Sequence, residues 1–289
     1  MMATRTLRLL VIFTLLTSFA GAQNQKPPVE DSKPVLPSGN LDLRASVAVF
    51  AAAGKGATLA ITVGVTQPAF PSPTREVIDV LVKAYSADGD PKGSESSVIP
   101  IMVPPGRAGA AESYYEVLSR LDVAKPGKYE VRLSAHSAET DQRGSVYVDV
   151  DVPDFAKSKL SMSGVVLNSA LTLVPVAPTR LLDDVAPIVP TAARTFAKID
   201  RVSAFLKLYQ GGDAKLVPII VKTRIRDAAS RSVFDESDTF APDRFTADRA
   251  ADIRLQLPLD KLSPGEHLLS FEATLDKVSV RRDVVFIVK

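Results

Sequence analysis

Two stretches decide the fold: VLSRLDVAKPGKYEVRLSA at residues 117–135 and LQLPLDKLSPGEHLLSFEA at residues 255–273. They align without a gap at a constant offset of 138 positions, Leu121 on Leu259, Pro126 on Pro264, Gly127 on Gly265 and Tyr129 on His267. A period of that size means a tandem duplication of a domain, not a solenoid. The pattern has a mechanical reading. A strand ends at the leucine, a short connection crosses to a second sheet, and Pro-Gly makes the turn. Proline sets φ there and glycine takes the angle other residues avoid. The next strand begins with a ring two residues past the glycine. At such a corner in immunoglobulin-like sandwiches a tyrosine hydroxyl bonds back to upstream backbone. Tyr129 is expected to do this, and His267 to make a chemically altered corner.

Outward from the two corners, short apolar alternations recur between Gly, Pro, Asp and Ser clusters, which reads as an all-β sandwich. Leu59, Ile61, Val63 and Val65 share one face, and Thr58, Ala60, Thr62 and Gly64 the other. Ile78 to Ala84, Tyr115 to Leu121, Tyr129 to Ala135 and Val146 to Val152 repeat the period of two, with Tyr147, Asp149 and Asp151 pointing outward. This predicts strands with one wet face. Further strands are expected near 44–51 and 97–103, and in the second half at Val202 to Leu208, Val217 to Ile225, Ile253 to Leu259, Leu269 to Leu275 and Val278 to Val288. Arg282 interrupts the inward alternation of the last of these and predicts a bulge. The fold class is therefore all-β, two tandem immunoglobulin-like or fibronectin III-like sandwiches.

The domains follow. Arg5 and Arg8 precede an apolar run from Leu9 to Phe19 and the small residues Ala20-Gly21-Ala22, so 1–22 reads as a signal peptide and export is expected. Residues 23–40 are a proline-rich linker, 41–153 the first sandwich, and 157–289 the second. An insertion at 169–200 shows no strand rhythm, and segments of that kind are usually functional or mobile. Its apolar residues Leu181, Leu182, Val185, Ile188 and Val189 are the candidate contact surface for a partner, unless they pack on their own sandwich.

Chemistry is sparse. A net charge of +2, from 35 basic and 33 acidic residues, argues against nucleic acid as a partner. The absence of cysteine excludes disulfides, thiolate metal sites and cysteine nucleophiles. The two histidines, His136 and His267, fall in different domains, and no hydrolase elbow, zinc signature or phosphate loop occurs. No catalytic, cofactor or metal residues are expected. The loop Asp88-Gly89-Asp90-Pro91-Lys92-Gly93 reads as a turn, since its acids stop short of a calcium pattern. Asp149 and Asp151 are a carboxylate pair on one strand face, and Tyr114, Tyr147 and Tyr209 are candidates for exposure in a chain without tryptophan.

LDLRASVAVFA (41–51), LAITVGVTQP (59–68), GSVYVDVDVPDF (144–155), PIVPTAARTFAKIDRVSAFLKLYQGG (187–212) and the two L-x-x-x-x-P-G corners resemble the C-terminal region of acidobacterial von Willebrand factor A (VWA)-related proteins. In that family a VWA domain with a D-x-S-x-S metal site comes first. The motif occurs nowhere in this sequence, so its site residues are not carried over. The resemblance implies an accessory region of a bacterial envelope or secreted protein. The expected function is a periplasmic or secreted non-catalytic interaction module whose partner is another envelope or secreted protein, a VWA-bearing one being the natural candidate. No transmembrane span is expected after signal cleavage. Two alternatives from other classes are a cell-surface polysaccharide-binding module and an enzyme with an unrecognised carboxylate pair.

Overall fold

The computed structural model describes residues 38–53, 56–106, 109–170 and 174–289. The expected signal peptide and all but the end of the linker lie outside the described residues. The first half contributes β1 (Ser38–Gly39), β2 (Asp42–Ala51), β3 (Ala57–Pro68), β4 (Thr74–Ser86), β5 (Pro91–Val103), β6 (Glu112–Val123), β7 (Gly127–Ser137) and β8 (Arg143–Val152). Short pieces follow: β9 (Ser161–Met162), β10 (Val166–Ser169), β11 (Val176–Ala177) and β12 (Thr195–Phe196). The second half ends with β13 (Val202–Tyr209), β14 (Ile219–Asp227), β15 (Ser232–Phe240), β16 (Ala250–Gln256), β17 (Gly265–Leu275) and β18 (Val278–Val288). Among the described residues no helix is long and apolar enough to cross a membrane.

The connectivity is the same in both halves. β6-β3-β2 faces β8-β7-β4-β5 in the first, and β16-β13-β10 faces β18-β17-β14-β15 in the second. Even the irregularities correspond: the ladder shifts between Ala84 and Tyr85 where β4 meets β5, and between Ile225 and Arg226 where β14 meets β15. The alternating residues fill the space between each pair of sheets. Ile78, Val80, Val82, Val131 and Leu133 lie in the first core, with Leu206, Ile225, Leu269 and Phe271 in the second. Burial of such side chains contributes about 1.5–3 kcal/mol each.

Several expectations are corrected. The second face of β3 is not wet: Thr58, Ala60 and Thr62 are buried like their inward neighbours. That face is covered by a third apolar cluster, in which Ala48, Phe50, Ala60 and Leu118 meet Val166 and Phe205 of the second half. The Phe50 and Phe205 rings stack at 6.3 Å. Gly164 lies against β2, its N–H donating to the Val49 carbonyl at 2.9 Å, and a Cβ there would meet Ala48 Cα at 2.7 Å. The halves thus touch backbone to backbone, and the described residues form one compact unit.

The segment 169–200 is not structureless. β11 adds in parallel to β6 of the first half and β12 in parallel to β18 of the second, so the segment is a strap tied to both. Pro175 and Pro178 flank β11 and hold it to two residues, and Pro187 and Pro190 remove further backbone donors from the segment. Arg282 makes no bulge, because β17 and β18 stay in register through Phe271 opposite Arg282. Its guanidinium donates to the Ser163 and Met162 carbonyls at 3.1 and 3.0 Å, which lets a charge occupy an inward position. The strand expected to reach Leu259 ends at Gln256, and Pro258 leads into a 3-10 turn over Leu259–Lys261. In the first half β6 runs past Leu121 to Val123. β15 was not anticipated, because its run SVFDESDTF carries acids on both faces of an edge strand.

Candidate functional site

The two corners hold the duplicated residues in matching places with different bonds. Gly127 and Gly265 have φ of 142° and 127°, a region that favours glycine. Pro126 and Pro264 precede them, and Leu121 and Leu259 are buried beneath. The Tyr129 hydroxyl donates to the Lys125 carbonyl at 2.6 Å. His267 is too short to reach that far. Its Nδ1 lies 3.0 Å from the Gly265 carbonyl, and its ring stacks on Phe286 at 5.5 Å. A carbonyl only accepts, so Nδ1 carries the proton. Nε2 is buried without a partner among the described residues.

Of the five apolar strap residues, Leu182 and Val185 are buried in the cluster between the halves, Ile188 and Val189 pack against it, and Leu181 stays exposed. They pack within the chain, and the contact surface expected of them is not there. The strap's polar anchor was not foreseen. Glu116, 1% exposed, accepts from Tyr114 Oη at 2.6 Å, Thr191 Oγ1 at 2.7 Å and the Ala192 N–H at 2.8 Å. Arg194 beside it donates to the Thr191 and Ala193 carbonyls and to Ser46 Oγ. Burial pulls the Arg194 guanidinium below its usual value, and Glu116 opposes that pull. Burial first, then the Glu116 charge, push the Tyr114 phenol far above its usual value. The hub joins β2, β6 and the strap.

A second buried carboxylate, Glu76, accepts from Ser137 Oγ at 2.8 Å, the Val77 N–H at 2.9 Å and Gln67 Nε2 at 3.1 Å. It lies toward the first core beside Tyr115, whose phenol is pushed up by burial and then by Glu76. Glu116, on β6 of the opposite sheet, faces away from that core toward the strap. These acids therefore do not converge on one cleft, and Asp149 and Asp151 stand exposed on β8. Their burial was hidden from the sequence by ordinary strand alternation. The nearest signal was Glu116 standing between two tyrosines and the apolar pair Val117-Leu118.

Between the halves lies a cleft of about 840 Å³ at the join Pro153–Lys157. Phe155 closes part of it, edge-on to Tyr209 at 4.8 Å. Two guanidinium groups on the cleft are engaged by the chain itself. Arg120 pairs with Asp184 of the strap at 2.6 Å and Asp122 at 3.3 Å, and donates to Thr58 Oγ1. The Asp184 bond is the chief cause holding its guanidinium above the usual value. Arg249 donates to the Gln210 and Ala214 carbonyls. Arg120 thereby ties the strap to the first half, and Arg249 ties two loops of the second half together. Of the remaining candidates, Tyr209 is buried and accepts from the Ala51 N–H, Tyr114 belongs to the hub, and Tyr147 lies half-buried on the outer face of β8. His136 lies at the surface between Asp141 at 2.9 Å and Asp79 at 3.4 Å. Among the described residues no three His, Cys, Asp or Glu side chains gather where a metal ion fits.

No family model and no curated protein matches the chain. Solved structures with partial likeness include red sea bream transglutaminase (12% identity, 87% of this chain and 31% of that chain, TM-score 0.25). Others are Parabacteroides merdae β-glucuronidase (11%, 81% and 28%, TM-score 0.27) and dimeric latent PorU from Porphyromonas gingivalis (12%, 90% and 20%, TM-score 0.29). The chain spans less than a third of each of these proteins. The strands and their paired sheets make the chain an all-β protein of immunoglobulin-like sandwiches.

Proposed function

We propose that the chain is a non-catalytic, exported structural and interaction module of the bacterial cell envelope, in which two sandwiches act as one rigid arm. The observation that carries this reading is the engagement of its reactive groups. Glu76, Glu116, Arg194, Arg120 and Arg249 each hold backbone or neighbouring side chains in place, and neither histidine adjoins a nucleophile. Signal-like residues 1–22 support export, and the resemblance to VWA-related proteins supports a VWA-bearing partner. A partner surface consistent with this is β5, an edge strand that exposes Val98 at 68% and Met102 at 59%. The test is capture of envelope proteins by the full chain and by a Val98→Glu/Met102→Glu variant. One defined protein should be retained by the first and lost by the second. Retention of none, or turnover of a glycoside or ester substrate by the purified chain, contradicts the reading.

A further inference from the structure

The outer face of the sheet containing β4, β7 and β8 carries a groove that the structural role does not use. Alternation sends Leu81, Lys83 and Tyr85 of β4 outward, with Arg132 of β7 and Tyr147 of β8. The register sets Lys83 opposite Arg132 and Arg132 opposite Tyr147, one row across three strands. These side chains line an open groove of about 230 Å³ with the hydroxyl-bearing Ser134 beside them. Its two rings, Tyr85 and Tyr147, are half-buried. Its charged lining residues are both cations.

Arg132 is fixed from two sides. Its guanidinium carbon lies 4.6 Å from the centroid of the Tyr85 ring, and Glu130 pairs with it along the strand. A planar fork held in one orientation recognises a carboxylate without further ordering cost. Lys83 is exposed and has no ion-pair partner among the described residues, which leaves one uncompensated positive charge at the groove. Tyr85 and Tyr147 lie on strands two positions apart, about 10 Å across the sheet. A chain crossing β7 between the two rings passes over Arg132, with Lys83 to one side on β4 and the Glu130 carboxylate, opposite Tyr85, already paired with Arg132. Flat rings take the apolar C–H face of a sugar, and cations take its carboxylate.

We infer that this groove binds an acidic polysaccharide, a chain of sugars bearing uronate carboxylates, through Tyr85, Tyr147, Lys83 and Arg132. The site goes beyond the proposed structural role, and its failure leaves that role standing. The experiment is affinity electrophoresis of the full chain in gels containing polygalacturonate, a neutral β-glucan or poly-glutamate. Polygalacturonate should retard the protein, less so at high salt, while the other two polymers should not. Tyr147→Ala should weaken the retardation at least about tenfold. Lys83→Glu, at an exposed position that leaves folding intact, should abolish it. An Arg224→Ala control on the outer face of the second sandwich should change nothing. The inference is overturned if polygalacturonate does not retard the protein, if poly-glutamate retards it equally, or if both Tyr147→Ala and Lys83→Glu bind as the wild type does.

Discussion

At the residue scale, Tyr129 and His267 show one backbone motif carrying two chemistries. Tyr129→Phe removes a buried donor and strands the Lys125 carbonyl, so it should cost about 1 kcal/mol or more in urea unfolding. His267→Phe loses the Gly265 bond but also removes the unpartnered Nε2, so it should stay within about 1 kcal/mol of wild type. The corner was legible because Pro-Gly plus a ring is a local pattern. The hub was not, because a buried carboxylate on an alternating strand looks like a solvated one until something covers it. Glu116→Ala leaves Tyr114 Oη, Thr191 Oγ1 and the Ala192 N–H without their acceptor. It should cost about 3 kcal/mol, and Glu116→Gln less because one acceptor oxygen remains. Burial raises the Tyr114, Tyr115 and Tyr209 phenols above their usual value. A raised acid keeps its proton in the folded state. Its contribution is therefore complete below the unfolded phenol value of about 10 and is lost as the pH climbs beyond it. Ultraviolet titration should show these phenols ionising only as the chain unfolds.

At the element scale, strands with one apolar face could be read from the sequence, and edges and covered faces could not. β3 alternates as if half solvated, yet Ala60 meets a cluster built by residues more than a hundred positions away. β15 hides because charges that protect an edge also erase its periodicity. The strap hides for a related reason: its prolines break it into pieces too short to carry a rhythm. Its packing has a measurable consequence. Phe50→Ala empties a fully buried site at the seam and should cost about 3–5 kcal/mol. Leu182→Ala should cost about 2–5 kcal/mol, although it lies in a segment that reads as a loop. Chemical denaturation followed by circular dichroism measures both, and a change below about 0.5 kcal/mol at Leu182 would mean the strap is not docked.

At the scale of the whole molecule, the two halves share one strand order, and the seam joins them. The sequence repeat announces two sandwiches; their union depends on Gly164 against β2, the Phe50–Phe205 stack, the Glu116 hub and a strap paired to both halves. Gly164→Ala places a methyl group against the β2 backbone and should loosen the seam while leaving both cores packed. Scanning calorimetry of the full chain tests the rigid-arm account most directly. The account predicts one cooperative transition whose calorimetric and van't Hoff enthalpies agree, at roughly 175 kcal/mol for some 250 residues near 60 °C. Two separate transitions, each with about half that enthalpy and unmoved by Gly164→Ala, would contradict it.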